Sequence, residues 1–175
     1  DISDAELKEA AEYFASIPES QQKWIRVVEG ATAPKNHVGT GGMRFFDPEG
    51  GTVAVAPNMI YEVAEDGEGA ELRDQHYGFV DFVPAGSIKK GQALATTGGA
   101  GKTIQCSICH GADYKGIGDV PRLAGRGAYY LIRQLNDIKT GARKGSVVAL
   151  MKPVVEKLSD EDIVNLAAYM ASRTP

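Results

Sequence analysis

The sequence predicts an α+β chain: an all-α unit over residues 86–175, preceded by a small, mainly antiparallel β region over 24–85 and a helix within 1–23. Three observations carry this reading. Apolar residues recur at helical spacing near both ends of the chain, as Leu7, Ala10, Ala11 and Phe14 and as Ile163, Leu166, Ala167 and Met170. The middle is built of β-branched and aromatic runs broken by Gly, Pro, Asp and Asn. The charge changes sign at Gly86: residues 1–85 carry 16 acidic and 6 basic side chains, and residues 86–175 carry 7 and 13. With 175 residues and 43% apolar content, the chain can bury one substantial core or two small ones.

The first helix is expected to open at Ser3, with Asp4 and Glu6 in its first turn. Its pattern repeats that of the last helix at a constant offset of 156 residues, with Ser3, Asp4, Ala11, Tyr13, Ala15 and Ser16 identical to their counterparts. Two Ser-capped amphipathic helices can converge by chance. Internal repetition, however, is a statement about architecture, and we read 1–18 as the last helix of a preceding domain of the same kind. The chain opens on Asp1 rather than Met, so its beginning is expected to have been trimmed.

Strands are expected at Trp24–Val28, Thr52–Ala56, Met59–Val63 and Gly78–Val83, and the acidic stretch 65–69 is expected as either a solvated turn, the usual case, or a docking feature. In the helical half, a first helix carries Gly91. A second runs from Tyr129 to Thr140, with Ala128, Leu131, Leu135 and Ile138 on one stripe, and stops at Gly141. The last is capped by Ser159. No stretch approaches the roughly 18 apolar residues of a membrane-spanning helix. Neither half has the dense basic tract of a nucleic-acid binder.

The two cysteines lie in Gln105-Cys106-Ser107-Ile108-Cys109-His110-Gly111, and C-x-x-C-H is the pattern of covalent haem attachment. Each thiol adds to one haem vinyl group, and the adjoining imidazole falls beneath the iron as a ligand. A zinc site would need four ligands, and the only other histidines, His37 and His76, lie in a separate segment where a structural or exposed role is the simpler reading. A redox dithiol or a short-loop disulfide are the remaining alternatives. The iron's other face has one natural candidate. Met170 belongs to a helical core stripe, and Met43 and Met59 belong to the acidic half. Met151 follows the loop 145–148 and precedes Lys152-Pro153, where it either presents its thioether to iron or fills a hydrophobic gap.

Residues 86–175 resemble a class I cytochrome c domain, most closely those of bacterial periplasmic two-haem cytochromes built from tandem units. The matching features are Gly91, the haem motif, Val120-Pro121-Arg122-Leu123-Ala124-Gly125, Tyr129-Tyr130-Leu131-Ile132-Arg133-Gln134-Leu135, Gly141-Ala142-Arg143, Met151 and Tyr169. The resemblance implies one haem c on Cys106 and Cys109, iron ligation by His110 and Met151, and a hydrogen bond from the His110 ring to the Pro121 carbonyl. The helical pattern itself predicts three helices around the haem, which supplies so much of this small core that the apo form is expected to fold poorly, and the repeat of the last helix in 1–18 then points to a missing N-terminal haem domain. The stretch 92–105 departs from the resemblance, being longer and richer in glycine, so the first helix is expected to be short and followed by a flexible loop.

The function expected is single-electron transfer in the periplasm, between a dehydrogenase and an oxidase or another cytochrome. Lys115, Arg122, Arg126, Arg143, Lys144 and Lys152 are candidate docking charges; a merely solubilising role is the alternative. Two other readings are a haem enzyme or ligand sensor with an open sixth site, and a cytochrome subunit of a dehydrogenase complex. The first lacks a distal His or Arg constellation in the sequence.

Overall fold

The computed structural model describes residues 2–17, 24–74, 76–145 and 147–175. Residues 18–23, within the first predicted segment, and Ser146, in the loop before Met151, lie outside the described residues.

Helix α1 (Asp4–Ser16) is closed at its start by a capping box in which Ser3 and Glu6 bond each other's backbone amides. None of its residues is buried. A mixed sheet follows, built from β1 (Ile25–Gly30), β3 (Asn36–Val38), β4 (Arg44–Phe46), β6 (Tyr61–Ala64) and β7 (Phe79–Pro84) in the order β1-β7-β6-β4-β3. Strands β2 (Thr32–Pro34) and β5 (Thr52–Ala54) pair separately and antiparallel.

The expected β region is antiparallel in three of its five pairings, β2–β5, β3–β4 and β6–β7, but its larger sheet is mixed, because β1–β7 and β4–β6 are parallel. Parallel neighbours require a long return connection, which strand-by-strand reading of local turns does not register. The acidic stretch is also not a plain turn. It enters a short helix, α2 (Gly67–Glu71), whose Gly69 amide donates to Asp66 Oδ1 at 3.0 Å.

Strand alternation gives the sheet two working faces. Val28, Val80, Phe82, Val63 and Tyr61 meet Ala33, Val53 and Val55 of β2, β5 and the residue after it, forming a small separate core. Ile25, Val27 and Phe79 point the other way, into the core of the helical unit.

That unit holds α3 (Ser87–Thr97), α4 (Ser107–His110), α5 (Ala128–Thr140), α6 (Lys152–Val155) and α7 (Asp160–Ser172). Helix α7 lies between α3, α5 and the sheet, and every residue from Asp162 to Ala171 is buried. A helix buried all round must be apolar all round, and here only Asp162 and Asn165 interrupt it. Helix α3 is longer than the glycine count suggests, running eleven residues to a left-handed Gly98 cap. The stretch after it is a compact turn, since the Thr103 amide returns to the Gly98 carbonyl at 3.1 Å.

Candidate functional site

The cysteine motif forms a single helical turn hung from α3. The Cys106 amide donates to the Ala95 carbonyl at 3.0 Å, and the His110 amide donates to the Cys106 carbonyl at 2.9 Å. Spacings of three and four residues place Cys109 and His110 on the same side of that turn as Cys106. The thiols are not joined as a disulfide. Burial pushes the Cys106 thiol up to about 11, a backbone hydrogen bond opposing the rise and Cys109 adding to it. It is therefore a neutral thiol at physiological pH, unlike the acidic cysteine of a redox dithiol.

The imidazole of His110 is buried, and its Nδ1 lies 2.8 Å from the Pro121 carbonyl oxygen. A carbonyl can only accept, so Nδ1 carries the proton and Nε2 is left with its lone pair free for a metal. The loop that delivers Pro121 is closely held. Ile117 and Val120 exchange amide bonds at 3.2 and 3.0 Å, and the Gly116 amide donates to the His110 carbonyl at 2.9 Å. A side chain at Gly116, which has a φ of +91°, would meet the Val120 carbonyl oxygen at 2.6 Å. The Tyr114 carbonyl accepts from both Leu123 and Ala124, and the Gly125 amide donates to Met170 O, which pins the loop to α7. Sequence reasoning named Pro121 but not Gly116 or Ala95, whose roles are backbone contacts between segments.

Met151 sits at the junction of a 3-10 turn (Val148–Leu150) and α6, so its backbone is helical on both sides rather than looped. Its amide donates to the Val148 carbonyl at 2.9 Å, and the side chain is half-buried at the edge of the cluster that includes Cys106 and Leu123. The other methionines are differently occupied. Met170 is buried in α7, Met59 is exposed on the β region, and Met43 accepts a hydrogen bond from Tyr77. His37 and His76 are exposed and face Asp47 and Asp74 at 2.6 and 2.9 Å. Among the described residues no cluster of three or more His, Cys, Asp or Glu side chains could hold a metal ion.

The residues around the motif fit a large apolar group. Ile104 and Ile108 beside the cysteines, Ile117 before Pro121, and Val147 and Leu150 before Met151 all expose large apolar side chains. Exposed apolar side chains on each of the segments that carry the thiols, Pro121 and Met151 are what a covalently held porphyrin would cover. These features define a c-type haem protein, with Cys106 and Cys109 as the points of attachment.

A cytochrome c family profile matches residues 88–174. Cytochrome c-554(548) of Halomonas halodenitrificans is 42% identical over 76 residues, which is 43% of this chain and 92% of that protein. Cytochrome c4 of Azotobacter vinelandii is 38% identical over 84 residues, 44% of this chain and 40% of that protein. A thiosulfate dehydrogenase electron acceptor of Stutzerimonas stutzeri is 42% identical over 83 residues, 46% of this chain and 37% of that protein. The chain thus spans well under half the length of the latter two. It belongs to the cytochrome c family as a class I c-type cytochrome, and it is an electron carrier rather than an enzyme.

Proposed function

We propose that the haem iron is ligated by His110 Nε2 and Met151 Sδ, and that the protein carries single electrons in the periplasm between a dehydrogenase and an oxidase or another cytochrome. The observation that carries this reading is the 2.8 Å contact between His110 Nδ1 and the Pro121 carbonyl. It fixes the ring's tautomer and orientation, and it makes Nε2 a stronger donor. The haem supplies the one-electron chemistry when bound. The chain's part is to keep His110 oriented, to cover the haem faces with apolar side chains, and to close the sixth position with Met151 so that small oxidants do not enter.

The docking charges support the same reading. Lys115, Arg126, Arg143 and Lys144 are exposed on loops and turns, Lys152 is exposed at the start of α6 next to Met151, and Arg122 is half-buried beside Pro121. Location in the periplasm is supported by covalent haem attachment, which consumes both cysteines and leaves no free thiol in an oxidising compartment. Among the described residues no helix is long and apolar enough to cross a membrane.

Two extensions follow from particular observations. The relative named as an electron acceptor of thiosulfate dehydrogenase favours a dehydrogenase as the donor, with this chain as its electron-transfer subunit. Helix α1 has the same capping box as α7 at the 156-residue offset, yet its apolar stripe is solvent-exposed, with Leu7 62% and Phe14 69% accessible. In α7 the equivalent residues are buried. We read α1 as the closing helix of a second haem unit preceding the β region.

The test is the optical spectrum of the ferric protein. The weak long-wavelength band of methionine sulfur on ferric haem is expected in the wild type and lost in Met151→Ala, with covalent haem retained. Its absence from the wild type would overturn Met151 as ligand.

A further inference from the structure

Helices α3 and α5 begin without caps of their own. Their N-cap residues are Gly86 and Gly127, neither of which offers a side chain to the free amides of the first turn. The sheet supplies what is missing. Glu29 of β1 accepts from the Ile88 amide at 2.7 Å, and Asp81 Oδ2 of β7 accepts from the Ala128 amide at 3.0 Å. Glu62 of β6 accepts from the Tyr129 amide. By strand alternation all three acids lie on the face of the sheet that meets the helices, the face of Ile25, Val27 and Phe79.

Two of these acids are directly opposed. Glu62 and Asp81 are register partners across β6–β7, and Asp81 is fully buried. Each has one buried oxygen, Glu62 Oε2 and Asp81 Oδ1, without a partner. Two ionised carboxylates held this way would repel in a low-dielectric site, with an acceptor left over on each. One proton between them removes the repulsion and satisfies both oxygens.

We propose that Glu62 and Asp81 are a one-proton clamp: they hold a single proton between them at neutral pH and, as one anionic pair, fasten the start of α5 to the sheet. Asp81 donates and Glu62 keeps the negative charge, next to the positive end of α5. Burial first, and then the Glu62 charge, hold the Asp81 proton well above the usual carboxylate range, against the pull of the Ala128 amide. Burial also raises Glu62, opposed by its bonds to Asp81 and to the Tyr129 amide. From the neighbouring strand β1 one charged group shares this face, Glu29, which accepts from the Ile88 amide. β1 contributes Val27 opposite Asp81 and Ile25 beside Gly127, and α5 contributes the two amides. Gly127 is part of the device, because a Cβ there would lie 2.9 Å from Glu62 Oε2. The two carboxyls are positioning residues, acting on the haem unit through α5.

The clamp has a signed consequence. A carboxyl whose proton is held more tightly in the folded chain than in the unfolded one loses stability as pH rises, from its ordinary value of 3.8 up to its raised folded value. Asp81→Asn mimics the protonated acid, keeps a donor toward Glu62, and has no proton to lose. Unfolding of the haem-loaded chain by denaturant between about pH 5 and about pH 8 tests this. The folding equilibrium constant of the wild type, divided by that of Asp81→Asn, is expected to fall by up to about tenfold per pH unit. Glu62→Gln, which can donate to an ionised Asp81, should remove the same slope, so the test survives failure of one variant to fold. The infrared band of a protonated carboxylic acid should be present in the wild type at neutral pH and absent from both variants. A ratio that is flat with pH, or no such band in the wild type, overturns the clamp.

Discussion

Substituting Gly91 with alanine would test how the haem unit is closed. Helices α3 and α7 cross at this residue, and a Cβ there would lie 1.9 Å from the Asn165 carbonyl oxygen, 2.6 Å from its carbon and 2.8 Å from Tyr169 Cβ. The first two contacts are backbone, so no rotamer change relieves them, and the helices must separate by more than an ångström. The crossing carries other interactions that separation would stretch: the Lys90–Glu161 ion pair at 2.8 Å, and the Tyr169 ring against Tyr114. Overpacking of a buried site costs about 1–3 kcal/mol, and a backbone clash belongs at the upper end. At about 2–4 °C per kcal/mol for a chain of this size, Gly91→Ala should melt about 10 °C below the wild type in its haem-loaded form. Because the Cys106 amide hangs from the Ala95 carbonyl of α3, the haem absorption should shift as well. A melting point within a degree or two of the wild type would refute the close crossing.

Two further outcomes can be measured directly. Burial acts to raise the Asp162 carboxyl, but its bonds from the Ser159 amide, Lys102 and the Ser159 hydroxyl outweigh that and hold it below its ordinary 3.8; the stability it contributes is present above that value and lost as pH falls through the lowered one. Asp162→Ala should therefore cost about 1 kcal/mol at neutral pH and nothing in strong acid, read from denaturation midpoints at both; an equal cost at both would remove the charged cap as its source. Voltammetry on a carboxylate-terminated electrode should show electron transfer that weakens several-fold as ionic strength rises from about 10 mM to about 200 mM, and less so after charge reversal of Arg126 and Lys144. Transfer indifferent to salt would leave those charges a solubilising role only.

Much of the haem unit was legible because its signals are local. C-x-x-C-H is contiguous, Ser159 announces the start of α7, Gly141 ends α5, and the stripe of Met170 separates it from Met151 by periodicity alone. The β region was legible only as composition. Its short strands, Asn36–Val38 and Arg44–Phe46, are too brief to show alternation, and the parallel pairing of β1 with β7 depends on a connection that carries no local mark. The bond from His110 to Pro121 came from the family resemblance, since ten intervening residues conceal it from spacing. Gly127 reads in sequence as an ordinary loop glycine, and only the approach of Glu62 explains why a better capping residue is absent.

The charge division of the chain takes on a different meaning in this light. An acidic first half and a basic second half read as opposed surfaces, available either for steering a partner or for contact with each other. Three of the acids serve the second purpose in a specific way. Glu29, Glu62 and Asp81 meet helix N-termini, where the charge they face is the partial positive charge of free backbone amides rather than a lysine or arginine. Contact of this kind leaves basic side chains such as Lys115, Arg126 and Lys144 exposed to solvent for a redox partner. It also binds the sheet to the two helices that flank α7, the first of which holds the Cys106 amide. Loosening the sheet should therefore be felt at the haem before it is felt in the sheet's own small core, whose residues face the other way.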